Sequence, residues 1–341
     1  MKIFHSEAHT RHDPPFEFFE GGQKMPYLET PERVERVLAA LKDRAWAEIL
    51  PPKEHGLDPV LAVHHPDYVR FLQTAYDEWL RQESPQNPVA LLPATFPPRR
   101  WTRKPDSILG QAGYYQFDLS APITPGTFPA ALGAAWCALS GAGAVASGER
   151  AAFALCRPPG HHAGKDFAGG YCYLNNAAIA AQRLSAKGKV AILDIDYHAG
   201  NGTQDIFYER DDVLTISIHA DPDFEYPHFC GYAGEIGAGA GAGYHVNLPL
   251  PAGTDDAAYL TALGAALGQI NGFRPKFLVL SAGMDLYGGD RLGKFRVTRQ
   301  GIAQIGIRIR DLDLPTLVVM EGGYNDEALG QNIVALLEAF V

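Results

Sequence analysis

The sequence has few of the features that define several large protein classes. Its 341 residues contain only four cysteines, Cys137, Cys156, Cys172 and Cys230, and none of them forms a C-x-x-C pair. A chain of this length can bury a sizeable core without disulfides, so a disulfide framework is not expected and a reducing cytoplasm is the predicted location. There is also no Walker P-loop and no G-x-S-x-G motif, which argues against phosphate-binding loops and serine hydrolases of that type.

Targeting and membrane signals are missing as well. Residues 1–10 alternate apolar with charged or histidine side chains and contain no apolar signal-peptide core. No apolar run is expected to approach the roughly 18 residues of a membrane span. The sequence therefore predicts a protein without membrane association.

Positive charge is in deficit. The 29 Lys and Arg residues face 39 Asp and Glu residues, for a net charge of −10, which disfavours non-specific binding to nucleic acid or anionic membranes and makes cationic ligands more plausible. A local basic cluster does occur beside Phe96, and we interpret it as a solvated loop with ion pairs. The cluster comprises Arg99, Arg100, Arg103 and Lys104, and Trp101 lies among them.

The sequence does contain apolar runs that alternate with helical patterns. Such alternation predicts a three-layer α/β/α sandwich around a mostly parallel sheet. Strands are predicted at Lys2–Phe4, Ala152–Cys156, Lys189–Ile195, Val213–Ile218, Tyr244–Leu248, Phe277–Ser281 and Thr316–Met320. Helices are predicted from Thr30, as N-cap before Pro31, and at about 65–82, 128–147, 254–271 and 298–311.

A proline-rich stretch at about 84–129 interrupts this pattern. A long connection inside a compact domain is usually functional or an interface. The helices that precede it have too few strands to form a core of their own. Residues 1–341 are therefore predicted to be one domain that carries a loop insertion.

Polar side chains follow four of the predicted strands. In open α/β sheets, ligands bind beyond the carboxyl ends of the strands, so these residues are expected to share one site. They are His161 and His162 in the first group, Asp194, Asp196, His198 and Asn201 in the second, Asp285 in the third and Tyr324 in the fourth.

Three of these residues have the chemistry of a metal site. Asp196 and His198 are two positions apart, so an extended backbone places both side chains on one face, and Asp285 can join them from a neighbouring strand. One imidazole and two carboxylates form an open three-ligand site that suits Zn²⁺ or another divalent ion. His161 and His162 can both approach that site only if the Pro158-Pro159-Gly160 segment bends the chain.

With these motifs in place, the chain resembles the zinc-dependent deacetylase family of the arginase–deacetylase fold, and within it the bacterial acetylpolyamine amidohydrolases. The matching segments are R-P-P-G-H-H-A-G, G-G-Y-C-Y-L-N-N-A, A-I-L-D-I-D-Y-H-A-G-N-G-T-Q, L-T-I-S-I-H, S-A-G-M-D and E-G-G-Y, in this order between Arg157 and Tyr324.

The resemblance implies a role for each matched residue. Zinc would be held by Asp196, His198 and Asp285, although Fe²⁺ or Co²⁺ would accept the same ligands. His162 would be the general base and then the general acid, with His161 as its electrostatic partner. Tyr324 would face the substrate carbonyl. The remaining implied roles are orientation of the histidines by Asp194 and Asn201, a substrate channel formed by Gly170, Tyr171 and Tyr226, and a structural K⁺ held by Asp194, Asp196, His198, Ser217 and Ile218.

The resemblance also implies a substrate class. The insertion looks like the loop that builds a homodimer and narrows the entrance in acetylpolyamine amidohydrolases. Hydrolysis of acetylputrescine, acetylcadaverine or acetylspermidine is therefore favoured, and acetyl-lysine proteins or other small acylamides are the alternatives. Glu17 and Asp106 are the predicted acids that attract a cationic amine. Three departures from the family pattern are Ala199, where a histidine is common, Met284 beside Asp285, and Leu109, where an acid is common.

Two rival functions remain open at this stage. An arginase-like hydrolase with two manganese ions would need further acidic ligands, yet His198 is followed by Ala-Gly and Asp285 by Leu-Tyr. A non-catalytic receptor for acyl ligands usually lacks the tyrosine or a catalytic histidine, and this chain retains them. The sequence thus favours a metal-dependent amidohydrolase that contains one catalytic ion.

Overall fold

An eight-stranded sheet organises the protein. The computed structural model describes residues 1–19, 22–98 and 103–341, and all structural statements below refer to them. The strands are β1 Lys2–His5, β2 Glu17–Phe19, β3 Gln23–Met25, β4 Glu48–Leu50, β5 Ala151–Leu155, β6 Val190–Asp194, β7 Val213–Ala220, β8 His245–Leu250, β9 Phe277–Ala282 and β10 Thr316–Met320. Every strand pairing in the eight-stranded sheet is parallel, in the order β4-β1-β5-β10-β9-β6-β7-β8, and β2 and β3 form a separate antiparallel hairpin.

Helices cover both faces of the sheet. The helices are α1 Glu32–Leu41, α2 Asp58–Leu61, α3 Pro66–Glu83, α4 Ile108–Tyr115, α5 Thr127–Ala146, α6 Asn176–Ser185, α7 Asn201–Phe207, α8 Asp256–Phe273, α9 Arg299–Arg310 and α10 Leu329–Leu337. One hydrophobic core lies against α2 to α7 and the other against α1 and α8 to α10, so the predicted three-layer α/β class is confirmed.

The central strands bring the predicted site residues to one edge. All residues of β5, β6, β7, β9 and β10 are buried, as expected for parallel strands covered on both faces. These five strands are adjacent in the sheet. Because they run in the same direction, the segments that follow them meet at a single carboxyl edge.

Some sequence expectations need correction. Thr30 does not cap α1 through its side chain, since Pro31 occupies the N-cap position and the helix begins at Glu32. Periodicity also missed the three-residue strands β2, β3 and β4 and the helices α2, α4, α6, α7 and α10. All of these elements span ten residues or fewer, which leaves little length for a repeating pattern.

Helix α5, which the sequence predicts at about 128–147, is unusually apolar. Among the described residues, α5 is the one helix long and apolar enough to cross a membrane by length and composition. However, 67% of the apolar stretch is buried inside the protein, and the helix packs on β5 and α6. Its composition is that of a core helix, and the expectation that no apolar run approaches this length was wrong.

The stretch at 84–129 is more ordered than the loop that the sequence suggested. It contains α4, and Ile108, Ala112 and Ile123 are part of a hydrophobic core. Lys104 forms an ion pair with Asp67 at 3.0 Å, in line with the expected local pairing of the basic cluster. Arg99 and Arg100 of that cluster, and the adjacent Trp101, lie outside the described residues.

A buried ion network ties α1 to the loops at the carboxyl edge. Glu29 pairs with Arg33 at 2.7 Å and with Arg157 at 3.0 Å, and all three side chains are fully buried. Arg33 also donates to the backbone carbonyls of Glu321 and Gly323, at 2.7 and 2.8 Å. Two buried guanidinium groups therefore depend on one carboxylate for charge balance.

We expect Glu29→Gln to destabilise the protein by about 3–5 kcal/mol, because it leaves two buried charges without their counter-charge. The free energy of unfolding in urea measures the effect. The matched control is Glu32→Gln in the exposed Glu32–Arg36 pair, which should change the same quantity by no more than about 0.5 kcal/mol. Equal losses in both variants would contradict the role of the network.

Candidate active site

Asp196, His198 and Asp285 meet at the carboxyl edge of the sheet. The two aspartates follow β6 and β9, which are neighbours. His198 Nδ1 lies 3.3 Å from Asp196 Oδ1 and 3.1 Å from Asp285 Oδ2, and the three donor atoms lie within 4.8 Å of one another. The structure therefore brings together the three residues that the sequence predicts to be metal ligands.

The charges of this trio favour a bound cation. Burial raises the pKa of Asp285 to about 7, and the nearby charge of Asp196 adds to that rise. Burial lowers the pKa of His198, but its contacts with Asp196 and Asp285 outweigh burial and raise it to about 10. Two buried carboxylates thus hold a positive charge between them. One imidazole nitrogen and two carboxylate oxygens suit a zinc ion or another divalent ion in the same place.

Backbone groups fix the carboxylates in position. Tyr197 N–H donates to Asp285 Oδ1 at 2.9 Å, and Gly322 N–H donates to Asp196 Oδ2 at 2.8 Å. A Cβ atom on Gly322 would lie 2.5 Å from Asp285 Oδ2 and 2.7 Å from Asp196 Oδ2. Only glycine allows this close approach, so the β10 loop closes over the trio.

His161 and His162 lie side by side, with ring centroids 4.0 Å apart. His161 Nδ1 lies 3.0 Å from Asp194 Oδ2, and His162 Nδ1 lies 2.6 Å from Asn201 Oδ1. An amide oxygen only accepts hydrogen bonds, so Nδ1 of a neutral His162 carries its proton and Nε2 has a free lone pair. The bend that the Pro-Pro-Gly segment was expected to provide is present, because the two rings are adjacent.

The two histidines differ in charge. Burial lowers the pKa of His161, but Asp196 and Asp194 outweigh burial and raise it well above its ordinary value. Burial and the neighbouring His161 and His198 hold the pKa of His162 well below its ordinary value. His162 is thus a neutral base at neutral pH, and His161 is its cationic neighbour.

Tyr324 faces the same space from the β10 loop. Its backbone N–H donates to Asp290 Oδ2 at 2.6 Å, and the Arg33 guanidinium lies 4.9 Å from the centre of its ring. The ring of Tyr171 is 5.5 Å away. The buried ion network therefore supports the tyrosine from behind.

A cavity of about 350 Å³ joins these groups. Its wall combines the histidines and Tyr324 with aromatic and apolar side chains, as expected for a small-molecule site. The lining residues are Phe18, Asp118, Leu119, Ser120, Pro159, His161, His162, Gly170, Tyr171, His198, Glu225, Tyr226, Leu292, Gly322 and Tyr324. The predicted channel residues Gly170, Tyr171 and Tyr226 are therefore in the wall.

The acids of the cavity are not the ones that the sequence suggested. Glu17 is completely buried; it accepts from Tyr171 OH at 2.7 Å and from Leu28 N–H at 2.9 Å, so it supports the wall from behind. Asp106 is exposed and outside the cavity lining. The carboxylates that do line the cavity are Asp118 and Glu225.

The sequence does not indicate Asp118 as a site residue, because it lies in the insertion and follows none of the predicted strands. Its Oδ2 accepts from Tyr226 OH at 2.7 Å and from Gly170 N–H at 2.8 Å. Glu225 Oε2 accepts from Tyr197 OH at 2.7 Å and pairs with Lys294 at 2.9 Å. Asp118 is thus the cavity carboxylate without a cationic partner among the described ion pairs.

The predicted potassium ligands also lie close together. Asp194 Oδ1 accepts from Asp196 N–H at 3.0 Å, and Asp194 is paired in the sheet with Ser217 of β7. Both residues line a small cavity of about 10 Å³, and Ile218 follows Ser217 in the same strand.

Ala199 belongs to a tightly packed contact. A Cβ atom on Gly231 would lie 2.8 Å from Ala199 Cβ and also 2.8 Å from His219 Nε2. The Gly231 carbonyl oxygen also forms a hydrogen bond with His219 Nε2 at 2.8 Å. The small side chain at position 199 therefore leaves room for the Gly231 backbone.

Comparison with known proteins identifies the family. The histone deacetylase domain family matches residues 27–340. Acetylpolyamine amidohydrolase 2 of Pseudomonas aeruginosa is 47% identical over 343 residues, which cover 100% of this chain and 98% of that protein. The acetylpolyamine amidohydrolase of Mycoplana ramosa is 45% identical over 341 residues, 99% of each chain. A crystal structure of the acetylpolyamine aminohydrolase from Burkholderia pseudomallei has a TM-score of 0.95 at 41% identity and covers 100% of this chain and 98% of that one.

The parallel sheet, the acid–histidine donor set and the histidine pair together define a hydrolase of the metal-dependent deacetylase class. The chain belongs to the histone deacetylase family, and the predicted resemblance to its acetylpolyamine amidohydrolase members is confirmed. This family is metal-dependent, typically with zinc.

We expect Asn201→Asp to shift the acidic limb of the kcat/KM pH profile upward by about one pH unit or more, because a carboxylate beside Nδ1 raises the pKa of His162. At a given acidic pH, more of the base is then protonated and inactive. The pH dependence of amide hydrolysis by the metal-loaded protein measures the shift. Asn201→Ser is the uncharged control and should leave the limb in place; an unmoved limb in the Asp variant would exclude His162 as the base.

Proposed function

We propose that this protein hydrolyses the acetamide bond of small N-acetylated amines, most of all acetylpolyamines, and releases acetate and the free amine. The observation that carries the proposal is the arrangement of His162, Tyr324 and the acid–histidine trio around one cavity. The full-length similarity to acetylpolyamine amidohydrolases supports the substrate class.

Asp196, His198 and Asp285 would hold the metal ion. A zinc ion bound there would polarise the acetamide carbonyl and lower the pKa of the attacking water to about 7. Fe²⁺ or Co²⁺ would suit the same donors. We assign a structural K⁺ to Asp194, Ser217 and the backbone of Asp196, His198 and Ile218, supported by the small cavity that Asp194 and Ser217 share.

The protein side chains then move the protons. His162 Nε2 takes a proton from water as the water oxygen attacks the carbonyl carbon. Burial and the positive charge of His161 lower the pKa of His162, so that protonated His162 can later give the proton up. The Tyr324 hydroxyl donates a hydrogen bond to the carbonyl oxygen as that oxygen gains negative charge. When the C–N bond breaks, protonated His162 delivers its proton to the departing amine nitrogen. Asn201 and Asp194 hold the two rings in position throughout.

The charge of the cavity supports a cationic substrate. Asp118 lies in the wall beside Tyr226 and Gly170, and Glu225 adds a second carboxylate. A distal ammonium group on an acetylated diamine would meet Asp118, and the aliphatic part would contact Tyr171 and the other apolar lining. The net charge of −10 favours the approach of such cations.

We also propose the cellular setting. The family match over residues 27–340 and the single sheet that includes both β1 and β10 support one deacetylase domain over 1–341. Four free cysteines, three of them buried, support a cytoplasmic location. A homodimer through the insertion is supported by its exposed apolar side chains Val89 and Phe96. Nucleic acid and membranes are not among the proposed partners.

We expect Tyr324→Phe to lower kcat by about 10²–10³-fold, because the variant loses one donor to the developing oxyanion. Its metal content and unfolding temperature should match those of the wild type. The matched control is Tyr232→Phe, which removes an exposed hydroxyl whose hydrogen bond goes to the His228 carbonyl. Near-complete activity in the Tyr324 variant would refute the assignment.

Substrate preference tests the polyamine assignment. We expect kcat/KM for acetylputrescine, acetylcadaverine or acetylspermidine to exceed that for N-acetylbutylamine, the uncharged analogue of acetylputrescine, and that for an acetyl-lysine peptide. The reason is the cavity carboxylate and the apolar wall. A tenfold or greater preference for the peptide would identify the protein as an acetyl-lysine deacetylase, and lack of turnover with every acylated amine would favour a receptor.

A pair of variants locates the origin of this preference. Asp118→Asn should reduce the ratio of kcat/KM between acetylputrescine and N-acetylbutylamine. Asp106→Asn removes the same charge outside the cavity and should leave the ratio unchanged. The opposite pattern would return the recognition role to Asp106.

A further inference from the structure

We propose that Asp290 is a positioning residue for amide hydrolysis: its carboxylate sets the backbone conformation of Tyr324 and so determines where the Tyr324 hydroxyl lies in the cavity. The inference rests on the proposed function, in which that hydroxyl donates to the substrate carbonyl. Asp290 lies in the loop between β9 and α9 and is not part of the cavity lining. It therefore acts through the tyrosine and not by contact with the substrate.

The segment that carries Tyr324 has no regular structure of its own. Residues 321–325 follow β10 and belong to no helix or strand. Two glycines, Gly322 and Gly323, directly precede the tyrosine, and Gly323 has a φ of +120°, a conformation that other residues rarely adopt. Such a backbone has a wide conformational choice, so contacts with other segments must hold the tyrosine in one orientation.

Ring packing supplies only part of that restraint. The Tyr324 ring lies 5.5 Å from the ring of Tyr171 and 4.9 Å from the Arg33 guanidinium. Neither of these contacts is a hydrogen bond. They restrict the ring but do not fix the backbone from which it projects.

One oxygen of Asp290 fixes the backbone on both sides of the tyrosine. Asp290 Oδ2 accepts from Tyr324 N–H at 2.6 Å and from Asn325 N–H at 2.9 Å. The first N–H belongs to the peptide plane before the Tyr324 Cα atom, and the second belongs to the plane after it. Because both planes are held, φ and ψ at Tyr324 are fixed, and with them the direction of its Cα–Cβ bond.

The other oxygen of Asp290 connects this contact to the cavity wall. Asp290 Oδ1 accepts from Leu292 N–H at 3.0 Å, and Leu292 lines the cavity. The Asn325 side chain adds a contact in the opposite direction, since its Nδ2 donates to the Gly289 carbonyl at 2.5 Å. The loop that contains Asp290 follows Asp285 in the sequence. The tyrosine is thus held by the same loop that begins at a proposed metal ligand.

The position of the hydroxyl matters most in the transition state. A donor to the developing oxyanion must lie within hydrogen-bond distance of it, and a misplacement of about 1 Å can cost about 10²-fold in rate. Binding of the substrate before its carbonyl oxygen gains charge depends less on this donor. The loss of an interaction made only in the transition state lowers kcat and leaves KM nearly unchanged. Asp290 should therefore affect kcat more than KM.

The variant Asp290→Asn tests the proposal in the full-length, metal-loaded protein. The amide replaces one acceptor oxygen by an NH₂ group, which would face a backbone N–H. We expect kcat for acetylputrescine to fall by about tenfold or more and KM to change by less than about twofold. The matched control is Asp326→Asn, which removes the same charge from a partly exposed pair with Arg291 and should leave both constants unchanged.

A double-mutant cycle distinguishes positioning from a general structural role. In the Tyr324→Phe background, Asp290→Asn should lower kcat by no more than about a further twofold, because the hydroxyl that it positions is already absent. Equal losses in the two backgrounds would overturn the proposal. If Asp290→Asn does not fold, Asn325→Ala removes the contact with Gly289 and should show the same dependence on the Tyr324 hydroxyl.

Amide hydrogen exchange separates this inference from the proposed function. The N–H groups of Tyr324 and Asn325 should exchange faster in Asp290→Asn than in the wild type and in Asp326→Asn, since they lose their acceptor. Unchanged exchange at both groups would overturn the proposal whatever the activity. If the wild type hydrolyses no acetylated amine but exchange at these groups depends on Asp290, the proposed function fails and the positioning of Tyr324 by Asp290 stands.

Discussion

Four buried carboxylates at one edge of the sheet impose the main physical constraint on this structure. Asp194, Asp196, Asp285 and Glu321 are all completely or almost completely buried there, because the parallel strands β6, β9 and β10 end side by side. Burial and the charge of Asp194 help to raise the pKa of Glu321 to about 7. Such a concentration of negative charge is stable only where hydrogen-bond donors and cations surround it.

Backbone donors supply much of that compensation. Glu321 Oε2 accepts from the N–H groups of Gly160 and His161, at 2.7 and 3.1 Å, and Gly322 donates to Asp196. The carboxylates therefore shape the loops as much as the loops position the carboxylates. The remaining negative charge attracts a proton or a metal ion to His198, so the metal site follows from how the fold balances its own charge.

The second layer of compensation comes from α1. Arg33 reaches the carbonyls of Glu321 and Gly323 and lies against the ring of Tyr324, although almost 300 positions separate these residues along the chain. Glu29 balances the charge of Arg33. Glu29 also pairs with Arg157, which lies four residues before His161 in the sequence. One buried acid thus connects the loops of His161, His162 and Tyr324.

The sequence was most informative where a strand ends. Continuous apolar runs such as Phe277–Ala282 identify buried strands, and the rule that ligands bind beyond their carboxyl ends places Asp196, His198 and Asp285 together. Glu17 could not be placed in this way. It lies in a three-residue strand of a hairpin, too short for a pattern, and only the three-dimensional fold buries it against Tyr171. The position of Asp118 could not be predicted either, because it depends on the path of the insertion through the fold.

The structure separates the chemistry from the recognition of substrate. The proposed catalytic groups follow buried strands, whereas another part of the cavity wall comes from the insertion and the hairpin, through Asp118, Leu119, Ser120 and Phe18. Asp118 links the two parts, since the oxygen that accepts from Tyr226 also accepts from Gly170 beside His162. Its carboxylate therefore both orients the channel and supplies negative charge. A change in the neighbouring residues 119 and 120 would alter only the recognition of the amine, while a change at Asp118 would alter both the recognition and the alignment of the channel with the base.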